Sequence, residues 1–144
     1  MARAVVFAQR MRMRGNQVVA RQHERVNRLA LSILLNLLQS TPVDTGEAIS
    51  NWILSLGHAT NENIGPYAPG QYGSTRQMNI GQTYNVAMIG ISDRRLEQPI
   101  YISNSAPHIG RLNNGWSAQA PAGFFQSSVL SAVRSARGFK VLTP

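Results

Sequence analysis

The predicted fold depends most on residues 99–125, whose sequence is PIYISNSAPHIGRLNNGWSAQAPAGFF. The stretch opens with alternating residues, a pattern that predicts a short strand with Ile100 and Ile102 on one face. An Asn-Gly pair at 114–115 predicts a turn, because both residue types tolerate a positive φ. Pro121 suits the first turn of a helix, where its missing N–H needs no partner. We therefore expect a turn-rich loop that holds the strand and the last helix in register and contains no catalytic grouping.

A long helix is predicted before this stretch. Apolar residues between positions 16 and 39 recur at spacings of three, four and seven, which indicates one broad apolar face. Asn16 is a suitable N-cap for this helix. The helix should end at Thr41-Pro42, because the residue before a proline avoids the α region.

Three shorter segments complete the predicted fold. The apolar spacing in residues 80–91 favours a helix over a strand, whereas residues 52–56 could continue a helical turn or form a strand. An apolar stripe at 125–136, with serines mostly opposite, predicts a C-terminal helix with Gly138 just after its end. We predict an α+β fold, with a long N-terminal amphipathic helix and a C-terminal helix packed on a small β-sheet, and with a long irregular loop.

That irregular loop is residues 57–75, which contain four glycines and two prolines. Irregular segments of this length inside a compact domain are usually binding or assembly elements, or are disordered. Tyr67 and Tyr72 would give the loop an aromatic surface that suits an interface. A linker between two domains is less expected, since neither half of the chain would make a good core alone.

The length and composition limit the class of protein. At 144 residues the chain suits one domain at 16–138, with a basic N-terminal arm at 1–15 and a C-terminal tail at 139–144. The absence of cysteine excludes a disulfide framework and a thiolate metal site. The longest apolar run, at 29–38, is too short to span a bilayer, so no membrane partner is expected. No signal peptide is evident, and the protein should stay where it is made.

The net charge of +8 is concentrated at the N-terminus. Residues 1–28 carry +6 of it, because seven arginines are opposed by Glu24 alone. Such a segment attracts nucleic-acid phosphates or acidic protein surfaces, or it is a solvated arm. No aromatic residues alternate with the arginines, which counts against base stacking. The arginines that could face DNA are Arg3, Arg10, Arg12, Arg14, Arg21, Arg25 and Arg28.

No arrangement typical of an active site occurs in the sequence. Asp44 and Glu47 fit a capping box, in which Asp44 is the N-cap of a helix and Glu47 reaches back from the third position. The histidines at 23, 58 and 108 lie far apart, and none has the spacing of a metal-ligand pair. There is no glycine-rich phosphate loop and no Gly-x-Ser-x-Gly elbow. We therefore predict a protein that is not an enzyme and that uses no cofactor and no metal.

Two blocks of the sequence resemble a known family. The first is TPVDTG at 41–46, followed by Asn51-Trp52, and the second is YISNSAP followed by LNNGWSAQAPAGFF. Together they resemble the tail-completion, or head–tail joining, proteins of tailed bacteriophages, and the resemblance extends over residues 15–137. His108 stands where that family usually has an aromatic residue. The matching residues of the second block are Tyr101, Ile102, Asn104, Ala106, Pro107, Leu112, Gly115, Ser117, Gln119, Ala120, Pro121, Ala122 and Gly123.

The resemblance implies a structural virion protein that forms a ring at the phage neck. The ring would join or complete the tail and line the passage of the genome DNA. Its partners would be copies of itself, as a hexamer or else a dodecamer with heterologous contacts, and the connector (adaptor) and tail proteins. It would lie in the virion, and in the host cytoplasm during assembly. The expected assembly residues are Tyr67, Tyr72, Asn104, Pro107, His108, Leu112, Gly115, Ser117, Gln119, Pro121 and Gly123.

Two other functions stay open on the residues alone. A small basic protein that binds nucleic acid without sequence specificity would also account for the charge. Its DNA binding would be salt-sensitive and would fall when arginines of the N-terminal arm are neutralised. An enzyme with a site assembled between subunits is a third hypothesis, and it would use Asp44, Glu47 or His108.

Overall fold

The structure is a computed structural model, and it describes residues 2–137. The predicted α+β class is confirmed, because a long N-terminal helix and a C-terminal helix pack on a small sheet. A short helix in the loop after the second strand was not predicted. The elements of the described part are α1 (Ala2–Ser40), α2 (Glu47–Ser50), β1 (Trp52–Leu56), α3 (Arg76–Ile91), β2 (Ile100–Asn104), α4 (Ile109–Asn113) and α5 (Phe124–Ala136).

The sheet consists of β1 and β2, which pair in antiparallel orientation. Trp52 lies opposite Asn104 at one end, and Leu54 lies opposite Ile102 in the centre. Leu54 and Ile102 both pack against the core. Leu54 shares its face of β1 with the buried Trp52, because side chains two residues apart on a strand lie on the same face. The predicted strand at 100–103 is confirmed, and the segment left open at 52–56 is a strand.

The core lies where α1 and α3 meet the sheet. Trp52 is buried there, and its indole Nε1–H donates to Thr41 Oγ1 at 2.8 Å. The Phe125 ring meets Trp52 edge-on, with ring centroids 5.0 Å apart. The C-terminal helix is therefore joined to the same core as the sheet. The buried members of this core are Leu34, Leu37, Leu38, Val43, Ile49, Trp52 and Ala87.

Helix α1 is longer than predicted. It begins at Ala2, so Asn16 is an interior helix residue and the predicted N-cap is wrong. The basic arm is part of the helix because ten of the thirteen residues at 2–14 are alanine, arginine, methionine or glutamine, which favour helix. Residues 2–22 are all exposed, partial burial starts at His23, and the first buried residue is Ala30. These 21 residues form a projecting helix about 30 Å long.

Helix α5 is confirmed, but its buried face differs from the predicted stripe. Ser128 is buried, whereas Val129 is 40% exposed. The Asn36 Nδ2 donates to the Ser128 carbonyl at 3.2 Å, and the Ser128 hydroxyl bonds Ser40 Oγ at 3.2 Å. A small hydroxyl side chain therefore faces α1 and lets the two helices pack closely. Gly138 and the tail at 139–144 lie outside the described residues.

The start of α5 also differs from the prediction. The helix begins at Phe124, so Pro121 does not lie in its first turn. Gly123 is the N-cap with φ 77°, a left-handed conformation that glycine adopts without steric cost. The Gly123 N–H donates to the Asn113 carbonyl at 2.7 Å, and the Phe125 N–H donates to Asn113 Oδ1 at 3.1 Å. A residue of α4 thus satisfies the amides at the start of α5.

Candidate functional site

The two sequence blocks, 41–46 and 101–123, lie against each other in the structure. Gln119 Oε1 accepts a hydrogen bond from the Val43 N–H at 2.9 Å, and Gln119 Nε2 donates to the Val43 carbonyl at 3.1 Å. Val43 is buried at 4% exposure, so these backbone groups depend on the glutamine amide for their partners. The pair fixes the loop before α5 on the turn after α1.

An open cleft of about 380 Å³ lies between the blocks, and we call it the interblock cleft. It contains four of the predicted assembly residues and both acids of the predicted capping box. Residues of the first block and of the short helix after it line one side, and residues of the loop after β2 line the other. The lining residues are Pro42, Val43, Asp44, Thr45, Gly46, Glu47, Ala48, Ala106, His108, Leu112, Ser117 and Gln119.

The predicted capping box does not form. The N-cap of α2 is Gly46, with φ 94° and no side-chain cap. Asp44 bonds the irregular loop instead, since its Oδ1 accepts from the Tyr72 N–H at 2.7 Å and its carbonyl accepts from the Gly73 N–H at 2.9 Å. Glu47 is the first residue of α2 and does not reach back to Asp44. A contact with a distant loop has therefore replaced the local cap.

Two buried asparagines fix the loop at 57–75. Asn79 Oδ1 accepts from the Ala68 N–H at 2.8 Å, and Asn79 Nδ2 donates to the Ala68 carbonyl at 2.9 Å. Asn51 makes the same pair of bonds with the Ile64 backbone: its Oδ1 accepts from the N–H at 2.8 Å, and its Nδ2 donates to the carbonyl at 2.7 Å. Within residues 2–137, every buried side-chain nitrogen or oxygen has a partner. The loop therefore has a defined conformation despite its lack of helix or strand.

The sequence analysis named Asn51 only as part of the first matching block and did not select Asn79. A signal for Asn79 was present, because the buried face of α3 runs through positions four residues apart. The predicted stripe was Ile80, Tyr84, Ala87, Met88 and Ile91; Ala87 and Ile91 are buried, whereas Met88 is 44% exposed. The buried residues of α3 are Asn79, Thr83, Ala87 and Ile91.

Aromatic side chains are displayed on the turns of these segments. Tyr72 is 94% exposed and has φ 55°, a conformation that is strained for a residue with a Cβ. Trp116, which the sequence analysis did not select, is 73% exposed and lies 5.2 Å from the Arg111 guanidinium. Tyr67 is 42% exposed; partial burial and, secondly, the charge of Glu62 raise the pKa of its phenol.

The other predicted assembly residues divide into two groups. Asn104 and Gly115 act within the fold: Asn104 Nδ2 donates to the Ala48 carbonyl at 2.7 Å, and Gly115 has φ 86°. Pro107 is exposed at a turn, and Pro121 is exposed in the loop before α5. The structure therefore places four of the predicted residues in the lining of the cleft, and only part of the set is free to contact another molecule.

The predicted DNA-facing arginines do not all share one side of α1. At 100° per residue, five of them fall within an arc of about 40°, whereas Arg12 lies on the opposite side and Arg25 at the edge. Arg28 also pairs with Glu24 at 3.8 Å, on the surface of the helix. We call the aligned set the arginine stripe, and it consists of Arg3, Arg10, Arg14, Arg21 and Arg28.

The chemistry of the interblock cleft is limited by what its titratable groups contact. Asp44, Glu47 and His108 all line it, but no hydrogen bond or ion pair between them occurs in the described part of the chain. Residues 2–137 contain no cluster of three His, Asp or Glu side chains that could hold a metal ion. None of the helices in that range has the length and apolar character needed to cross a membrane.

Comparisons of the chain with protein-family models, with curated proteins and with solved structures find no match. Its function is therefore inferred from the residues and geometry above.

Proposed function

We propose that this chain is a structural virion protein that forms a ring at the neck of a tailed phage, where it joins the head to the tail or completes the tail. The observation that carries the proposal is the contact between the two blocks, made by Gln119 and Val43. The blocks resemble one family at two distant places in the sequence. Their packing into one structural unit supports a common origin for both matches rather than two coincidences.

The exposed apolar surface supports assembly with other proteins. Tyr72 and Trp116 are displayed on turns whose backbones are hydrogen-bonded, so they offer preformed aromatic contacts. The projecting helix exposes Phe7 at 65% and Met13 at 61% without packing on its own domain. Exposed aromatic residues and methionines are enriched at protein interfaces relative to the rest of the surface. In a cyclic hexamer or dodecamer, each subunit would use different surfaces toward its two neighbours.

The experiment is electron microscopy of particles made by the virus when the gene for this chain is deleted. The proposal predicts DNA-filled heads beside separate tails, and joined particles when the wild-type gene is supplied in trans. A Gln82→Ala gene is a suitable second control, since Gln82 is exposed on α3. Joined particles in the deletion strain would contradict the proposal.

A second function, non-specific nucleic-acid binding outside the virion, is favoured by the arginine stripe. Under that function, the deletion strain would make empty heads or normal particles. The same micrographs therefore separate the two functions.

We also propose that the interblock cleft performs no reaction. Glu47→Gln should then leave head–tail joining unchanged. Asp44→Asn keeps an Oδ1 acceptor for the Tyr72 N–H and should also join normally. Loss of joining in both variants, with normal folding and ring formation, would support a catalytic site instead.

A further inference from the structure

The arginine stripe is a regular feature of one helix face. Its members are separated by seven, four, seven and seven residues, spacings that return to the same side of an α-helix. From Arg3 to Arg28 the stripe runs for about 38 Å, at 1.5 Å per residue. Glu24 is the only carboxylate in α1, so acidic neighbours on the same helix do little to neutralise it.

The stripe is open to solvent along its length. Arg3, Arg10, Arg14 and Arg21 belong to the exposed residues 2–22. The Arg28 side chain is 74% exposed even though it pairs with Glu24. Exposed pairs of this kind contribute little free energy and are screened by salt, so a competing anion can replace the carboxylate.

We infer that the arginine stripe binds the phosphate backbone of double-stranded DNA, with the projecting helix lying along the duplex. The length of the stripe is close to one helical turn of B-DNA, about 34–36 Å. Guanidinium groups bind phosphates strongly and without reading sequence. The inference deepens the proposed function, and it depends on that function only for identifying the duplex as the phage genome.

Single-stranded nucleic acid fits the surface less well. Sites for single strands place successive bases on aromatic side chains. Phe7 is the only aromatic residue among residues 2–22. A row of cations without such a platform suits a duplex, whose bases are already stacked.

The composition of the projecting helix disfavours two other partners, a second copy of the same helix and an anionic membrane. Residues 2–22 carry five arginines and no acid, so pairing two such helices would place like charges side by side. An anionic membrane would need one apolar face on the helix. Val5 and Met13 lie on the side away from Phe7, Met11 and Val18, so no single apolar face exists.

The test measures binding of the purified full-length chain to a mixed-sequence duplex of about 30 base pairs, by fluorescence anisotropy between about 50 and 200 mM salt. Arg14→Gln removes a stripe residue, and Arg12→Gln makes the same change two residues away on the opposite side. The slope of log K against log salt should fall in magnitude by about 0.9 per chain for Arg14→Gln, and by about 1.8 for Arg10→Gln with Arg14→Gln. Arg12→Gln should leave the slope unchanged.

Equal slopes for Arg14→Gln and Arg12→Gln would overturn the inference, since net charge alone would then explain binding. Tighter binding to vesicles of anionic phospholipid or to single-stranded DNA than to the duplex would also overturn it. Circular dichroism of each variant checks that helix content is retained. Sedimentation in the same buffers shows whether the chain forms a ring. A ring that does not bind the duplex would contradict only the DNA-binding inference. Stripe-dependent DNA binding by a chain that does not join heads to tails would contradict only the neck role.

Discussion

The side-chain amide of Gln119 makes both of its hydrogen bonds to one residue, Val43, at 2.9 Å to the N–H and 3.1 Å to the carbonyl. The two residues are 76 positions apart in the chain. This contact joins the turn after α1 to the loop before α5. One side chain therefore links the segment that follows the N-terminal helix to the segment that precedes the C-terminal helix.

Replacing Gln119 by alanine should lower the free energy of unfolding by about 2 kcal/mol, because two backbone groups of a buried residue lose their partners. Gln82→Ala, at an exposed position of α3, should change it by less than about 0.5 kcal/mol. Chemical denaturation measures both variants. Equal stability of the Gln119 variant and the wild type would mean that this contact does not hold the blocks together.

Replacing Asn79 by alanine should lower the free energy of unfolding by about 3 kcal/mol, since the Ala68 backbone and the Ser50 hydroxyl would lose their partner. Hydrogen exchange at the Ala68 amide should accelerate. Asn85→Ala, on the exposed side of the same helix, is the matched control. Unchanged protection of Ala68 in the Asn79 variant would show that the loop is fixed by other contacts.

The elements predicted correctly from sequence are those specified by local patterns. The alternation around Ile100 and the spacing within 80–91 depend on neighbouring residues, so the pattern alone indicates strand and helix. The start of α1 was missed because the arm has no apolar stripe, although its residues favour helix individually.

The features that could not be predicted depend on distant partners. Asp44 has the sequence context of a helix cap, but Tyr72, 28 residues away, takes its carboxylate. Ser128 has the polarity of a surface residue, but its hydrogen bonds with α1 place it on the buried face of α5. Likewise, the sequence indicates the residues of the two blocks but not the interblock cleft that they form.

Tyr72 should separate folding from assembly. Tyr72→Gly removes the strain of φ 55° from the folded state but also raises the conformational entropy of the unfolded chain. Because these two effects oppose each other, the free energy of unfolding should change by less than about 1 kcal/mol. Head–tail joining should fall, because the side chain is 94% exposed and serves no packing in its own domain. Tyr72→Phe keeps the ring and should join normally. Normal joining by the glycine variant would remove Tyr72 from the assembly surface.

The phenol of Tyr67 should titrate above its ordinary pKa of 10.0, since burial and then the Glu62 charge disfavour the anion. Because the folded-state pKa is the higher one, its contribution to stability is complete below pH 10 and is lost as the pH rises through the folded value. The ultraviolet titration of the wild type minus that of Tyr67→Phe isolates this group. Glu62→Gln should move the transition toward lower pH, and a transition at or below pH 10 in the wild type would contradict the assignment.

The central claim is that this chain is a building block of the phage neck. A cryo-electron microscopy map of the complete virion, calculated with cyclic symmetry at the junction of capsid and tail, tests it most directly. The neck role predicts a ring at that junction into which the domain fits, with α1 alongside the DNA that fills the channel. A junction whose density is fully explained by other chains would contradict it.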